Sequence, residues 1–505
     1  MPSKVFSASL HGIDAKIIEV EADISHGLHS FSIVGLPDKS VDESKDRVNS
    51  AIKNSGFTPP KKTNQKITIN LAPANIKKEG PSYDLPIALA YLLASKQIIF
   101  DSKEKLFIGE LALDGKIRSV SGVLSIVNTA RDKKFKQVIV PRENFEEASL
   151  IKNIDIIPVG NLYECIDYLK GKEIKTPQEI KKEIQRDIDF DDFDFCFIKG
   201  QEHAKRALEV AASGGHNLSM SGPPGSGKTM LAKAFLTILP SLTETEQLET
   251  TKIYSIMGKL KDGEYLITKR PFRSPHHSSS LISLIGGGQY AKPGEISLAH
   301  NGVLFLDEFP EFQKNVIEAL RQPLEDKEIT ISRASGSFSY PANIILITTQ
   351  NPCPCGYYNT GQKECICSMI SILKYQKKIS GPILDRMDIQ IEVPMVEHKK
   401  LVDKEISEKS SAIKTRIEEA RIIQIERLKK DNISKNSEMR QKDIKKYCKL
   451  DNDSEIFLKQ LAENNKISAR SYYKIIKLAR TIADLDKSDE IKIRHLAEAA
   501  QYRIK

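Results

Sequence analysis

The chain has 505 residues, of which 40% are hydrophobic and 28% are charged, a balance typical of globular proteins and too apolar for a disordered one. Its longest apolar stretch, residues 85–94, falls short of the roughly 20 residues that cross a bilayer. The N-terminus lacks a charged leader followed by an apolar core. We therefore expect a cytoplasmic protein of two or three domains and exclude membrane proteins, collagens and disulfide-rich secreted proteins.

Lysine and arginine number 76 against 67 acidic residues, which gives a net charge of +9. Most of the excess falls in residues 396–505, which carry about eight more basic than acidic side chains. A basic end is suited to an anionic polymer such as nucleic acid, and it is equally compatible with an ordinary solvated surface.

The first 171 residues predict an α+β domain, because short β-rich runs alternate with amphipathic helices. The predicted strands include residues 5–10, 13–20, 66–72 and 138–140, and the predicted helices include 39–54 and 84–96. Residues 172–193 are charged, with little to bury, and are interpreted as a linker.

Residues 194–395 predict an α/β domain with a parallel sheet, because buried-type strands at 217–221, 302–306 and 343–349 alternate with helices. Residues 396–505 read as helices to the end of the chain.

The segment GPPGSGKT, between a predicted strand and a predicted helix, has the spacing of a phosphate-binding loop. Its backbone N–H groups and the following helix N-terminus are suited to a polyphosphate, which predicts ATP as the ligand. We expect Lys228 to contact the β- and γ-phosphates and Thr229 to bind Mg²⁺. The loop residues are Gly222, Pro223, Pro224, Gly225, Ser226, Gly227, Lys228 and Thr229.

Two further strands end in polar residues at the edge of a parallel sheet where ligands bind. The strand VLFL is followed by Asp307 and Glu308, which we assign to Mg²⁺ coordination and to general-base activation of water. The strand NIILITTQ is followed by Asn351, an amide suited to orienting the water or the γ-phosphate. Arg386 and Arg470 lie downstream, and their surroundings in the sequence alone favour ordinary surface residues.

The order of these motifs resembles that of AAA+ ATPases, and the segments RPFRSPHHSSS, PGEISLAHNGVLFLDEFPEF, NPCPCG and SGPILDRMDI resemble the YifB/ComM family of magnesium-chelatase-like ATPases. The resemblance covers essentially the whole chain. It implies an AAA+ core with an N-terminal Lon-protease-like domain and a C-terminal helical lid. It also implies a hexamer with ATP sites between subunits, and a DNA motor, a branch-migration helicase in recombination and natural transformation.

By the same resemblance, Asn351 corresponds to the sensor-1 position and Arg386 to the arginine finger that reaches a neighbouring subunit's ATP. Arg470 corresponds to the sensor-2 arginine, which contacts the ATP of its own subunit from the lid. An alternative of a different class is a chelatase-like motor that remodels a protein partner without DNA.

Two alternating runs around Ser-Gly-Ser between residues 324 and 346 predict a β-hairpin. Related ring helicases carry a DNA-gripping hairpin at this place, so Lys327 and Arg333 are candidates for phosphate contacts with single-stranded, forked or branched DNA. A hairpin that only packs against its neighbour is the alternative. Residues 269–295 resemble an insertion that also faces the pore. Within it, the adjacent His276 and His277 are better suited to packing or hydrogen bonding than to a metal.

Four of the seven cysteines, Cys353, Cys355, Cys365 and Cys367, form two close pairs joined by a short loop. Such pairs can surround a tetrahedral ion, and the reducing compartment favours Zn²⁺ over disulfides. An iron–sulfur cluster or free thiols are the alternatives.

The segment KEGPSYDLP resembles the serine segment of Lon-type proteases, in which a Ser-Lys pair makes the nucleophile. Ser82 corresponds to that serine, but Leu124 stands where the family has its lysine, and Lys116 lies too early in the chain to replace it. The resemblance therefore implies a retained fold with lost proteolysis, which disfavours an ATP-dependent protease.

Overall fold

The computed structural model describes residues 2–62, 64–174, 193–261, 263–288, 291–333, 336–361, 363–396, 407–464 and 467–503. Most of the predicted linker, residues 175–192, lies outside these ranges. Within them, no helix has both the length and the apolar character needed to span a membrane.

The N-terminal region is built on a seven-stranded mixed sheet. Its strands are β1 (Ser3–His11), β2 (Asp14–His26), β3 (Ser30–Val34), β4 (Gln65–Ala72), β5 (Lys105–Phe107), β8 (Gln137–Pro141) and β9 (Asp155–Val159), with β6 (Glu110–Leu111) and β7 (Ile117–Arg118) as a separate pair. The order in the sheet is β3-β4-β2-β1-β5-β8-β9. The pairs β1–β2 and β2–β4 are antiparallel, and the other neighbours are parallel.

Helices cover both faces of this sheet, because side chains of alternating strand residues point to opposite sides. Val5 belongs to the buried cluster beneath Asp84–Ala94, whereas Ala8 belongs to the cluster beneath Val123–Asp132. The α-helices are Lys39–Asp42, Ser44–Asn54, Asp84–Ala94, Val123–Asp132, Phe145–Ala148 and Leu162–Leu169. The predicted α+β architecture is confirmed.

The predicted single helix 39–54 is wrong, because the structure has two helices that meet at Glu43. At this break the guanidinium of Arg47 donates to the Ser40 carbonyl (2.9 Å) and to the buried carboxylate of Asp84 (2.7 Å). The turn is therefore shaped by a long-range ion pair that local helix propensity does not contain.

The second sheet has five strands and is parallel throughout, as predicted. Its order is β11 (Phe272–Arg273), β14 (Val303–Leu306), β17 (Ile345–Gln350), β10 (Leu218–Ser221) and β18 (Ile389–Glu392). Two small antiparallel pairs accompany it: β12 (Gly286–Gly287) with β13 (Lys292–Pro293), and β15 (Glu328–Arg333) with β16 (Gly336–Pro341). Its α-helices are Glu202–Gly214, Lys228–Ile238, Glu244–Ile256, Leu281–Ile285, Glu295–Leu298, Lys314–Ala319, Arg321–Asp326, Met369–Gln376 and Gly381–Leu384.

The C-terminal region is helical, as predicted. Its α-helices are Ser410–Leu428, Gln441–Tyr447, Asn452–Asn464, Ala469–Leu485 and Ile493–Gln501. They share one hydrophobic core with the parallel sheet and with the helix Glu202–Gly214. Arg427 also makes a bidentate ion pair with the buried Asp484 (2.6 Å to each oxygen).

The N-terminal region and the parallel-sheet region are in direct contact. The buried Glu147 accepts hydrogen bonds from the Leu124 N–H (3.1 Å) and from the Ser255 hydroxyl, and the Gly122 N–H donates to the Ser255 carbonyl (3.1 Å). A second contact stacks His11 against Phe338, with ring centroids 4.8 Å apart. The hairpin β15–β16 is therefore in contact with the N-terminal sheet.

Candidate ATP site and its accessory clusters

The phosphate-binding loop connects β10 to the helix Lys228–Ile238 at the carboxyl edge of the parallel sheet. A side chain at Gly222 would place its Cβ 2.2 Å from the Val393 carbonyl oxygen, so only glycine fits there. Gly225 and Gly227 have φ values of +77° and +87°, which glycine adopts without the steric cost of other residues. The sequence thus folds into a loop whose backbone is suited to a polyphosphate.

Lys228 lies at the first turn of that helix with its ammonium folded into the loop. Its Nζ donates to the carbonyl oxygens of Gly222 (2.8 Å) and Pro223 (2.7 Å), and it lies 3.5 Å from Asn351 Oδ1. Burial lowers the pKa of Lys228. The structure thus brings together the predicted phosphate ligand and the predicted sensor-1 amide.

Thr229 and Asp307 meet across the loop, where the Thr229 hydroxyl donates to Asp307 Oδ2 (3.0 Å). Thr349, near the end of β17, donates its hydroxyl to the other oxygen of Asp307 and accepts the backbone N–H of Glu308 (3.2 Å). A hydroxyl beside a carboxylate is a donor set that fits Mg²⁺. Thr349 is not among the predicted site residues. It lies two residues before Asn351, in the polar end of the same strand, and that position is the signal that could have indicated it.

Glu308 extends into the open part of the site, with 57% of its side chain exposed. Its backbone is left-handed, at φ 51°, directly after the end of β14. His277 Nδ1 lies 3.6 Å from the Glu308 carboxylate, and its ring packs against His276 with centroids 4.0 Å apart. The insertion that carries these histidines therefore reaches the predicted general base.

Arg386 and Arg470 lie together on one carboxylate. Glu325 Oε1 accepts from Arg386 (2.6 Å) and from Arg470 (2.7 Å). The three residues line a cavity of about 1170 Å³ between the parallel sheet and the C-terminal helices. The sequence assigns the two arginines to different ATP sites, whereas the structure holds both at one place.

That place is the amino edge of the parallel sheet, opposite the phosphate-binding loop. Asn217, which precedes β10, donates its side-chain amide to the Arg386 carbonyl (3.5 Å) and its backbone N–H to Asp388 (3.2 Å). The loop begins at Gly222, five residues further along, a span of about 16 Å in an extended strand. The arginine pair therefore lies on the far side of the sheet from the chain's own phosphate site.

The four predicted metal ligands are also brought together. The sulfur atoms of Cys353, Cys355, Cys365 and Cys367 all lie within 4.8 Å of one another. The Cys353 sulfur lies 3.3 Å from that of Cys355 and 3.7 Å from that of Cys365, and the sulfurs of Cys355 and Cys365 are 3.6 Å apart. These distances are close to the sulfur–sulfur spacing of about 3.8 Å around a tetrahedral Zn²⁺ with Zn–S bonds of about 2.3 Å. The four thiols thus fit a closed tetrahedral zinc site.

The cysteine loop rests on the phosphate-binding loop. A Cβ added to Gly356 would lie 2.5 Å from Pro224 Cδ, so the two loops are in close contact at this glycine. Folding of the cysteine loop and the shape of the phosphate site are therefore linked by packing.

The predicted hairpin is confirmed, although its tip, residues 334 and 335, lies outside the described ranges. Arg333, at its outer end, is exposed, and its guanidinium lies over Gly287 of the insertion, where a Cβ would be 2.7 Å from Nη2. Lys327 lies at the base of the hairpin and pairs with Glu438 (2.6 Å). The two candidate DNA contacts therefore lie at opposite ends of the hairpin.

In the N-terminal region, Ser82 lines a cavity of about 660 Å³ that the hairpin residues Phe338 and Tyr340 also border. Leu124 is fully buried in the hydrophobic core. Lys116 is exposed and pairs with Asp114 (3.5 Å). The place of the Lon lysine is thus occupied by a core side chain.

Comparison with known families agrees with this architecture. Three family models match the chain. The model of magnesium chelatase subunit ChlI matches residues 194–401, the model of the C-terminal part of that subunit matches residues 407–503, and a third model, subunit ChlI of Mg-chelatase, matches residues 20–144. The Competence protein ComM of Haemophilus influenzae is 42% identical over 99% of this chain and 97% of its own length. The chain belongs to the YifB/ComM family of magnesium-chelatase-like AAA+ ATPases.

Other relatives share the whole length or a part of it. The YifB protein of Escherichia coli is 41% identical over 99% of this chain and 97% of its own. The DNA repair protein RadA of Halalkalibacterium halodurans is 28% identical over 22% of this chain and 23% of its own. Lon protease 2 of Bacillus subtilis is 29% identical over 28% of this chain and 26% of its own. Family membership confirms the predicted AAA+ ATPase fold.

Proposed function

We propose that this AAA+ ATPase is an ATP-driven DNA motor of the ComM type, acting as a helicase or branch-migration translocase in recombination and natural transformation. The observation that carries the proposal is the hairpin β15–β16, directly before the strand that ends at Asn351. The hairpin is thus connected to the ATP site through β17, the strand that follows it. The similarity to a competence protein and to a DNA repair protein supports the same class of partner.

Residues around the phosphate-binding loop are assigned to the steps of ATP hydrolysis. Lys228 exchanges its carbonyl partners for phosphate oxygens, and Asn351 orients the attacking water. Glu308 takes the proton from that water as general base, with its backbone fixed by Thr349. Thr229 and Asp307 would hold Mg²⁺, which would neutralise phosphate charge.

We propose that a neighbouring copy of the chain completes the ATP site and that the active assembly is a homo-hexameric ring. The finger Arg386 lies at the sheet edge opposite the loop, and Arg470 shares its carboxylate. We assign both arginines to the neighbour's ATP, so Arg470 acts in trans rather than in cis. An arginine supplied in trans contributes about 10³–10⁵ in rate.

The polar face of the hairpin and its outer end are the surface we assign to DNA. Ile329 and Ile331 are buried on one face of β15, whereas Thr330 and Ser332 are exposed on the other. Arg333 follows on the side of the isoleucines and is exposed because it lies at the outer end of the strand. We assign the phosphate contact to Arg333. Lys327 is engaged with Glu438 at the base, so we assign it to support of the hairpin.

The cysteine loop is assigned to one structural Zn²⁺ held by the four thiolates. Four protein ligands leave no open position, which suits a structural role and not a catalytic one. The bound ion would stiffen the loop that contacts Pro224.

The test is steady-state ATP hydrolysis with and without forked or four-way-junction DNA. We expect stimulation, and binding that weakens with salt because counterions are released. Arg333→Ala should lower the salt slope by about one, whereas Arg118→Ala, an exposed arginine of the N-terminal region, should not. Absence of both stimulation and low-salt binding would overturn the DNA assignment and favour remodelling of a protein partner.

A further inference from the structure

A single carboxylate joins the finger arginines to the base of the hairpin. Glu325 lies on the helix Arg321–Asp326, two residues before Lys327 and three before β15 begins. It accepts hydrogen bonds from Arg386 and from Arg470, which lie 61 and 145 residues away in sequence. Hydrogen bonding from Arg386 lowers the pKa of Glu325, so it is a carboxylate at neutral pH.

The other side of the hairpin base is tied to the C-terminal helical region. Glu438 Oε1 accepts from Lys327 (2.6 Å), before the hairpin, and from the Asn343 side chain (3.2 Å), after it. One carboxylate therefore holds both ends of the hairpin, while Glu325 holds the helix that leads into it.

The arginines are positioned to change partners. A γ-phosphate carries more negative charge and more acceptor oxygens than a carboxylate, and arginine binds both in the same bidentate geometry. Arg386 Nε has no hydrogen-bond partner among the described residues, so the guanidinium is only partly satisfied where it stands. Engagement of a neighbour's ATP by this pair would remove both donors from Glu325.

We infer that Glu325 is a positioning residue that holds Arg386 and Arg470 between ATP-binding events and transmits their departure to the hairpin β15–β16. The inference rests on the proposed action of both arginines in trans. In this arrangement Glu325 competes with the neighbour's γ-phosphate for the arginines. When it loses them, the helix Arg321–Asp326 and the hairpin that follows it are freed from the arginine cluster.

The chain contains no tryptophan, so one introduced tryptophan reports on the hairpin alone. Ser337 is exposed on β16 and is suited to this substitution. In full-length Glu308→Gln/Ser337→Trp protein, which binds ATP without turnover, Mg-ATP should shift the tryptophan emission. Adding Glu325→Gln should abolish that shift and tighten ATP binding about two- to fivefold, the factor expected for releasing partly exposed ion pairs.

Asp326→Asn, a change at the exposed carboxylate one residue further along, is the matched control and should preserve both the shift and the affinity. Glu325→Asp should restore part of the shift, which a purely structural effect of the glutamine would not predict. A full ATP-induced shift in the Glu325→Gln protein, or an unchanged ATP affinity, would overturn the inference. Failure of the arginines to act in trans is a separate result, because it appears as absent complementation between loop-deficient and finger-deficient subunits.

Discussion

The N-terminal sheet and the parallel sheet differ in how many of the catalytic residues implied by their motifs they contain. At one edge of the parallel sheet, Lys228 donates to Asn351, and Thr229, the residue after Lys228, donates to Asp307. In the N-terminal region Ser82 still lines a cavity, yet Leu124 is packed in the core. We therefore predict that this region keeps its fold without the proteolytic chemistry, because packing depends on many residues and general-base catalysis depends on one.

The largest effect expected from this contrast is loss of the finger. Arg386→Ala should lower kcat for ATP by about 10³–10⁵-fold, because the arginine stabilises the charge of the transition state much more than that of bound ATP. ATP affinity should stay within a few-fold of the parental value, as measured by equilibrium binding. Arg118→Ala is the control, and a parental kcat in the Arg386→Ala protein would contradict the assignment.

The general base is the next test. Glu308→Gln should keep ATP and Mg²⁺ binding and lower turnover by about 10²–10⁴-fold, since only the proton acceptor is removed. Glu311→Gln, at an exposed acid that pairs with Lys378 (3.0 Å), should retain turnover. Equal rates for Glu308→Gln and parental protein in a single-turnover assay would show that another group accepts the proton.

Substitutions in the cysteine loop should change the metal content of the protein more strongly than its ATPase rate. Parental protein should contain about one Zn²⁺ per chain, and Cys365→Ser should lose it because a three-thiolate site is incomplete. We expect weakened DNA-stimulated ATPase with retained ATP binding. Cys196→Ser, a half-buried cysteine outside the cluster, is the control. Iron with a visible charge-transfer colour, or no metal in freshly purified protein, would contradict a zinc site.

Glu438 gives a pH-dependent prediction for the base of the hairpin. Burial alone would raise its pKa, but the ammonium groups of Lys435 and Lys327 lower it to about 2. Its ionised form therefore stabilises the fold above pH 4.5, and this contribution is lost as the pH falls from 4.5 towards 2.

Glu438→Gln should cost about 3 kcal/mol at neutral pH, because it removes the carboxylate partner of the buried Lys435 and of the partly exposed Lys327. Between pH 5 and pH 3 it should lose less further stability than the parental protein in denaturant titrations, within the approximation of two-state unfolding. An equal loss in both proteins over this interval would show that Glu438 is not held in its ionised form by these lysines.

The smallest effect belongs to the N-terminal region. Ser82→Ala should change neither ATP hydrolysis nor the protein's behaviour towards peptide substrates, because Leu124 supplies no base. A fluorogenic peptide assay checks this directly. Peptidase activity in the parental protein that disappears in Ser82→Ala would restore the protease interpretation.

How much the sequence predicts depends on the distance over which each feature is encoded. The phosphate-binding loop, the acids after β14 and the two cysteine pairs are local patterns, and the structure brings each set together as expected. The break at Glu43 depends on an ion pair between Arg47 and Asp84, 37 residues apart, which helix periodicity does not contain. Such a pair becomes visible only when the tertiary fold is known.

The arginine cluster shows the same limit at the functional site. Glu325 carries no motif of its own, and its partners lie in the turn after the helix Gly381–Leu384 and in the helix Ala469–Leu485. The assignment of Arg470 to the ATP of its own subunit rests on the family resemblance alone. The shared carboxylate and the position of Asn217 at the amino edge of the sheet place both arginines away from that site.

The most direct test of the central claim is complementation between two inactive proteins. Lys228→Ala subunits have a defective loop and an intact finger, whereas Arg386→Ala subunits have the reverse. If the site is shared between neighbours in a ring, equal amounts mixed under subunit exchange should regain up to about a quarter of the parental ATPase rate, because that fraction of interfaces pairs an intact loop with an intact finger. A mixture no more active than either variant alone, with exchange verified by labelled subunits, would contradict a site completed in trans.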